Sequence, residues 1–512
     1  MINNLTPAEI GIKETVAVED RRNSGWDIQN APKNYFSLVL TQGGGAFFSF
    51  ASVLLITRNL GSEGYGAIIA IIAASQIAQM LVNWSTLAVS RFGIEEFVET
   101  EKISRIFWVR LFIFLMNATL VVATSTFWFP LLANWLKLSP EIFWLLIFHF
   151  IATALWIHIQ LGLQAIKMLR LYGRLLTIER LIIFASLLVL AAVGKLTVTT
   201  SFLCYLILPV FMSFVGFWYL RNFVFTRFSA DWKYWRKILF FSLPLIPTSL
   251  TGYFSTSYLD AAFISNFLSI RDLGIYSVST QINGIALTFP TLVNSLLIPL
   301  FVTLQQESNA QKSHFYFNHI LPTLILFWGL FCTIISFVGY FIIPVIFGAD
   351  FINAIQPLWI LLATSTLMFP LLAGYGALVS ATSTTYIAML GAIFAALSNI
   401  CFNFLLIPRF GLYGCAWATS IMYLTISLTF GVLLRRAVKL PISWIFVAAI
   451  PSIAGALVLS LTGNPYLSLL ITVVLTIFLI YLKRTSLRKT LVSLREVKNA
   501  KGKELSNQAK ST

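Results

Sequence analysis

The chain has 512 residues, 58% of them hydrophobic and only 11% charged, with a mean hydropathy of +0.85. Soluble domains carry about 25% charge, so composition excludes a soluble protein and implies a multi-pass membrane protein. The net charge of +16 would suit nucleic acid, but its distribution along the chain, described below, excludes that partner and assigns the charge to membrane orientation and anionic lipid.

The first 34 residues are polar and lack an apolar core segment, so they predict a cytoplasmic tail rather than a signal peptide. Apolar stretches then recur, each long enough to cross about 30 Å of hydrocarbon. Fourteen spans are predicted: residues 35–56, 65–90, 106–127, 142–165, 178–193, 198–220, 238–263, 273–301, 320–341, 358–380, 386–407, 414–434, 442–461 and 466–482. Residues 483–512 form a basic, polar tail. An even number of spans puts both termini on one side. Segments on that side carry 29 Lys and Arg; the other side carries five, namely Arg58, Lys137, Lys195, Arg271 and Arg409. This asymmetry predicts cytoplasmic termini. The four cysteines lie in apolar stretches without CxxC spacing and are expected to pack in the core.

Two segments 208 residues apart look alike: LITRNLGSEGYGAIIA from Leu55 and FISNFLSIRDLGIYSVS from Phe263, with Leu60 matching Leu268 and Gly66 matching Gly274. Each closes one apolar span, turns through a short polar loop and opens the next. The repeat divides the chain into an N-terminal lobe of spans 1–6 (residues 35–220) and a C-terminal lobe of spans 7–12 (residues 238–434). Spans 13 and 14 (residues 442–482) form an appendage. The expected fold is all-α: two six-helix bundles related by a pseudo-two-fold axis along the membrane normal, as suits a transporter with a central cavity.

Asp260 is the one acidic residue well inside a predicted span. A carboxylate at that depth is costly unless paired or protonated; it either serves structure, by capping a helix or pairing with an Arg, or couples transport to an ion. A pair with Arg58 at the outer end of the lobe interface is expected. Helical periodicity puts Ser242, Ser249, Tyr253 and Thr256 on the same stripe of span 7. Span 1 has a matching stripe at Gln42, Gly45, Ser49 and Ser52, and both stripes are expected to face the cavity, against the alternative of small-residue helix packing. Pro244 and Pro247 predict a bend in span 7. Span 4 aligns His149, Thr153, Trp156 and Gln160, with Lys167 at its cytoplasmic end; such a face suits a sugar phosphate, although an isolated core histidine accounts for it nearly as well. Arg58, Arg91 and Arg110 are candidates for gripping phosphate oxygens, against snorkelling to headgroups. Gly43–Gly44–Gly45 lacks a following Lys-Ser/Thr and predicts close packing, not a phosphate loop.

The segments ITRNLGSEGYG, TLAVSRFGIEEF, YLDAAFISNFLSIRDLGIYSVSTQI, IPVIFGADF and LIPRFGLYGCAWATSI, in this order, resemble the polysaccharide-transporter (Wzx-type) flippases of the multidrug, oligosaccharidyl-lipid and polysaccharide exporter superfamily. The similarity runs from about Tyr35 to Leu434. It implies six plus six helices in alternating access, and a substrate of undecaprenyl-pyrophosphate-linked oligosaccharide moved across the bacterial inner membrane for O-antigen, exopolysaccharide or capsule synthesis. Arg58, Arg91 and Asp260 match family positions by residue type and place. The chain departs from the family pattern at Ser269, where the second repeat often has Gly, and in its longer N-terminal tail. Neither enzymatic activity nor a cofactor or metal is expected. Membrane lipids, a polysaccharide polymerase and a chain-length regulator are the expected partners. The competing functions are a cation-coupled multidrug antiporter of the same superfamily and a membrane glycosyltransferase or polymerase. Cations outnumber acids within the spans, which favours an anionic substrate; short outer loops argue against the enzyme.

Overall fold

The computed structural model describes residues 31–225, 231–243, 246, 257–306, 310–382, 384–438 and 443–484, and their regular elements are all helices. The first, α1 (Ala31–Val82), contains predicted spans 1 and 2. At 1.5 Å per residue its 52 residues would run about 78 Å, far beyond one bilayer. It breaks at Gly61, whose φ of 68° and ψ of −171° lie where a side chain is disfavoured. Ser49 and Gln76 line one cavity although about 40 Å of straight helix would separate them, so the chain doubles back at Gly61. The polar loop expected there is a one-residue break.

Beyond short 3₁₀, α and π turns over residues 83–93 follow α2 (Ile94–Thr100), α3 (Ser104–Ala123), α4 (Ser125–Leu136), α5 (Phe143–Ala165), α6 (Leu169–Ala192) and α7 (Val198–Val224). The second half holds α8 (Trp232–Ser242), α9 (Ser257–Phe267), α10 (Ile270–Gln306), α11 (Leu321–Phe347), α12 (Ile355–Pro370), α13 (Gly376–Thr382) and α14 (Thr385–Val438). Helix α14 repeats the device of α1, breaking at Gly411 with φ 58°. The chain continues through α15 (Ser443–Val447), α16 (Ile450–Thr462) and α17 (Pro465–Leu482); α16 and α17 pack on α11 and α12. Among the described residues, nine helical runs are long and apolar enough to cross a membrane. Two of these, Gly43–Ser85 and Tyr386–Arg436, span 43 and 51 residues and contain the breaks at Gly61 and Gly411. Of the cysteines, Cys204, Cys332 and Cys415 are buried as expected, whereas Cys401 is exposed.

The internal repeat is visible as a reciprocal contact. A Cβ on Gly66 would lie 1.9 Å from the carbonyl oxygen of Ile270, and one on Gly274 would lie 1.8 Å from that of Ser62. Ile270 follows Ser62, and Gly274 follows Gly66, by the same 208 residues. The local two-fold axis therefore passes between Gly66 and Gly274, where α1 crosses α10. Glycine lets two backbones approach this closely where apolar burial gives no drive inside a membrane.

The same end of the molecule is tied across the bundles. Arg58 Nε donates to the Ile346 carbonyl at 2.6 Å, and its Nη2 donates to the Val345 carbonyl. Lys137 Nζ donates to the Leu268 carbonyl at 2.7 Å. Both cations cap helix C-terminal ends, where carbonyls lack partners and the helix dipole favours positive charge. At the opposite end Glu96 accepts from the backbone N–H groups of Arg105 (2.8 Å) and Ile106 (2.9 Å), capping the start of α3.

Candidate functional site

A polar cavity of about 600 Å³ opens between the two bundles. One wall comes from α1, α5, α6 and α7, the other from α9 and α10. Five tyrosines line it: Tyr65, Tyr172, Tyr205, Tyr258 and Tyr276. Among its lining, Arg180 supplies the cation and Glu179 the acid. Glu179 is engaged, accepting from Trp156 Nε1 at 3.0 Å. The Arg180 stem runs past Gly45, where an added Cβ would touch its Cγ at 4.0 Å; an added Cβ on Gly44 would touch Thr177 at 3.4 Å. The glycines of α1 thus make room for α6, which is the packing role expected for Gly44 and Gly45. A guanidinium presents a planar fork that fits two phosphate oxygens, and tyrosine offers sugars an apolar face with a hydroxyl at its edge.

The predicted stripes reach this cavity in part. Gly45, Ser49 and Ser52 line it from α1, and His149 and Thr153 from α5. His149 Nδ1 pairs with Ser75 Oγ at 2.7 Å, and Gln79 Nε2 donates to Thr153 Oγ1 at 2.6 Å. Trp156 acts through Glu179, and Gln160 is half-buried outside the lining. The Gln42 side chain, Ser249, Tyr253, Thr256, Pro244 and Pro247 lie outside the described residues.

The three candidate arginines are elsewhere. Arg58 ties the bundles at the Gly61 end. Arg91 sits on an exposed turn 3.7 Å from Glu95, with its guanidinium 5.0 Å from the Phe241 ring. Arg110 is fully buried within the first bundle, with Nη1 2.5 Å from His158 Nδ1 and Nη2 3.2 Å from Asn83 Oδ1. The cation that does line the cavity, Arg180, went unrecognised from sequence. The apolar run of span 5 begins at residue 178, but α6 starts at Leu169. Arg180 is therefore three turns inside a helix whose first part is too polar to register as a span. Its neighbour Glu179, an acid at the edge of the same run, was the available signal.

Asp260 does not line the cavity; its neighbour Tyr258 does. The carboxylate turns into the second bundle, 1% exposed, and its partners among the described residues are neutral. Asn403 Nδ2 donates at 2.9 Å, Thr419 Oγ1 at 2.9 Å and the Tyr276 hydroxyl at 3.4 Å. Asn403 also donates to Asn399 Oδ1. The expected pair with Arg58 is not formed: Arg58 is committed to carbonyls of α11, and Asp260 is satisfied inside its own bundle. The cause is rotational. Tyr258 and Asp260 are two residues apart, so about 200° of helix separates the faces they occupy.

Residues 31–305 match the polysaccharide biosynthesis protein family. The chain belongs to that family. It is similar to a probable low-salt glycan biosynthesis flippase, Agl15, of Haloferax volcanii, at 26% identity over 196 residues, 38% of this chain. The matched part spans 41% of that relative's length. Among solved structures it resembles the inward-facing conformation of a multidrug resistance MATE family transporter of the MOP superfamily, with a TM-score of 0.55 at 15% identity over 77% of this chain and 94% of that one. The outward-facing conformation of such a transporter gives 0.53 at 14% identity, covering 79% and 94%. The Vibrio cholerae MATE transporter VcmN in its bent form gives 0.51 at 11%, covering 80% and 97%. These likenesses establish the fold: a polytopic, all-helical two-bundle architecture.

Proposed function

We propose that this protein is a flippase moving undecaprenyl-pyrophosphate-linked oligosaccharide repeat units across the bacterial inner membrane by alternating access, for O-antigen, exopolysaccharide or capsule synthesis. The observation that carries the reading is the cavity built by both repeats, with Arg180 as its cation among five tyrosines. The head of a lipid-linked sugar, pyrophosphate followed by glycan, calls for that combination. Family membership and the similarity to a glycan biosynthesis flippase support it. A multidrug antiporter shares the fold, but its cationic cargo would meet Arg180 with Glu179 already engaged by Trp156.

With the termini cytoplasmic, the Gly61 end faces outward. The Arg58 and Lys137 ties and the Gly66–Gly274 crossing then hold the outer side together, as an inward-facing state requires. Arg180 takes the pyrophosphate, and rocking of the bundles exposes it to the other side. Asp260 serves as the coupling site for a proton or a small monovalent cation, since oxygen groups without a fixed counter-charge surround it. Its partner Tyr276 also lines the cavity, so occupation of Asp260 is felt at the substrate site. Expression in a strain lacking its own flippase tests the reading. The lipid-linked sugar should stop accumulating on the cytoplasmic side, and Arg180→Ala should fail to clear it while remaining in the membrane. Clearance of a cationic dye with no effect on any lipid-linked sugar would assign the antiporter function instead.

A further inference from the structure

A second cavity, about 460 Å³, lies between the bundles, and all twelve of its lining residues are apolar. Its walls come from α1, α4, α9 and α14. Along its rim Leu131, Trp135 and Phe404 are 67%, 38% and 49% exposed, so the crevice opens to the surroundings of the transmembrane helices. It stands back to back with the polar cavity. On α1, Gln76 lines the polar cavity and the next residue, Ile77, lines the crevice. On α9, Tyr258 lines the polar cavity and Leu259 the crevice. The packed seam between α1 and α9 therefore lies between the two spaces.

We propose that the crevice holds the polyprenyl tail of the lipid-linked substrate while the head occupies the polar cavity, and that the two are joined through the α1–α9 seam. This rests on the flippase reading. A pyrophosphate linkage is short, so the tail must leave the cavity beside the head. Backbone hydrogen bonding keeps a helix from splitting, which leaves a seam between bundles as the exit. The seam between α1 and α10 is held by the backbone crossing at Gly66 and Gly274. The α1–α9 seam is the lesser contact, and small side chains border it, Ala78 on α1 and Ala262 on α9. Transferring a tail from lipid into the crevice exchanges one hydrocarbon setting for another and gains little. The crevice thus supplies a path and affects the rate of flipping, leaving head affinity unchanged.

A photoreactive residue in place of Leu131, an exposed position, tests this in the full-length protein in proteoliposomes. The probes are a long-chain polyprenyl-pyrophosphate oligosaccharide, the same head on a short water-soluble stub, and a polyprenol with no head. Labelling by the long-chain substrate that disappears when excess stub fills the polar cavity supports the proposal. Equal labelling by headless polyprenol, or labelling indifferent to the stub, overturns it and leaves a groove for ordinary lipid. Ala262→Phe should slow flipping of the long-chain substrate at least tenfold, about 1.4 kcal/mol of barrier, with stub binding unchanged; an unaltered rate overturns the proposal. Failure of the stub to bind the native protein would strike the flippase reading itself, which separates the two failures.

Discussion

The crossing at Gly66 and Gly274 makes the sharpest prediction. Gly66→Ala places a methyl 1.9 Å from the Ile270 carbonyl oxygen, and Gly274→Ala places one 1.8 Å from that of Ser62. Contacts of this kind are essentially never under 3.0 Å, so α1 and α10 must separate by about 1 Å. Overpacking of this sort typically costs about 1–3 kcal/mol. The cost falls on the conformation in which the crossing is closed, so each variant should favour the state open at the Gly61 end by roughly 5- to 150-fold. Both methyls press on one crossing, and once one has opened it the second meets less resistance. The double variant should therefore fall short of the sum of the singles. A cysteine in place of Ser277, which lines the cavity, reports the shift through its rate of labelling by an impermeant maleimide added from the Gly61 side. Gly44→Ala, whose nearest neighbour would be Thr177 Cγ2 at an ordinary 3.4 Å, is the control. Gly66→Ala indistinguishable from that control would refute the crossing as a structural constraint.

Arg180→Ala should weaken binding of a sugar pyrophosphate roughly 10- to 150-fold, the value of a charge-assisted contact of about 1.5–3 kcal/mol, with Arg180→Lys intermediate because it keeps the charge and loses the fork; equal affinity in all three would remove Arg180 from the site. Asp260→Asn should flatten the dependence of transport on pH or on sodium, while Asp260→Glu keeps part of it; an unchanged ion dependence would leave Asp260 a structural hub for Asn403, Thr419 and Tyr276. Outside the spans, burial raises the pKa of Glu96 above 4.5, partly opposed by its bonds to the Ile106 and Arg105 amides. The folded chain therefore binds that proton more tightly than the unfolded one, and the contribution of Glu96 to stability declines as pH rises from 4.5 through the raised value. Thermal unfolding of Glu96→Gln in detergent should lack that decline and sit about 1 kcal/mol lower near neutrality for the weakened cap.

The bundle architecture was legible because the spans are long, predominantly apolar runs and because the repeat keeps Gly66 and Gly274 in register. The segments at Gly61 and Gly411 were read as loops because polar residues surround the first and Pro408 and Arg409 interrupt the apolar run before the second; the structure uses one left-handed glycine at each. Arg180 was hidden for the opposite reason: the wall of a polar cavity dilutes the apolar signal, so the first part of α6 reads as a loop. Asp260 illustrates a further limit. Periodicity places it on a stripe of span 7, but it cannot say which neighbour the carboxylate meets, and here Asp260 faces Asn403 and Thr419 of α14. Of the stripe on α1, Gly45, Ser49 and Ser52 line the cavity, on the side where Gly44 and Gly45 admit α6.

The two repeats agree in backbone and diverge in chemistry. The crossing of Ser62 and Gly66 with Ile270 and Gly274 is reciprocal, yet the ionisable groups are not duplicated. At the 208-residue offset Asp260 corresponds to Ser52, whose hydroxyl donates to its own helix at Phe48, and Tyr276 corresponds to Ile68. At the same offset Arg180 corresponds to Ala388. The cation that lines the cavity belongs to the first bundle and the buried acid to the second. Helix α10 joins them: within twelve residues it supplies the crossing at Ile270 and Gly274, the Tyr276 hydroxyl on Asp260, and the cavity residues Ser277 and Gln281. Direct electrostatics between Asp260 and Arg180 would lock one charge state to one substrate state. No direct bond joins them, so on the proposed flippase reading an event at Asp260 would reach Arg180 by moving α10 against α1, the motion that alternating access needs.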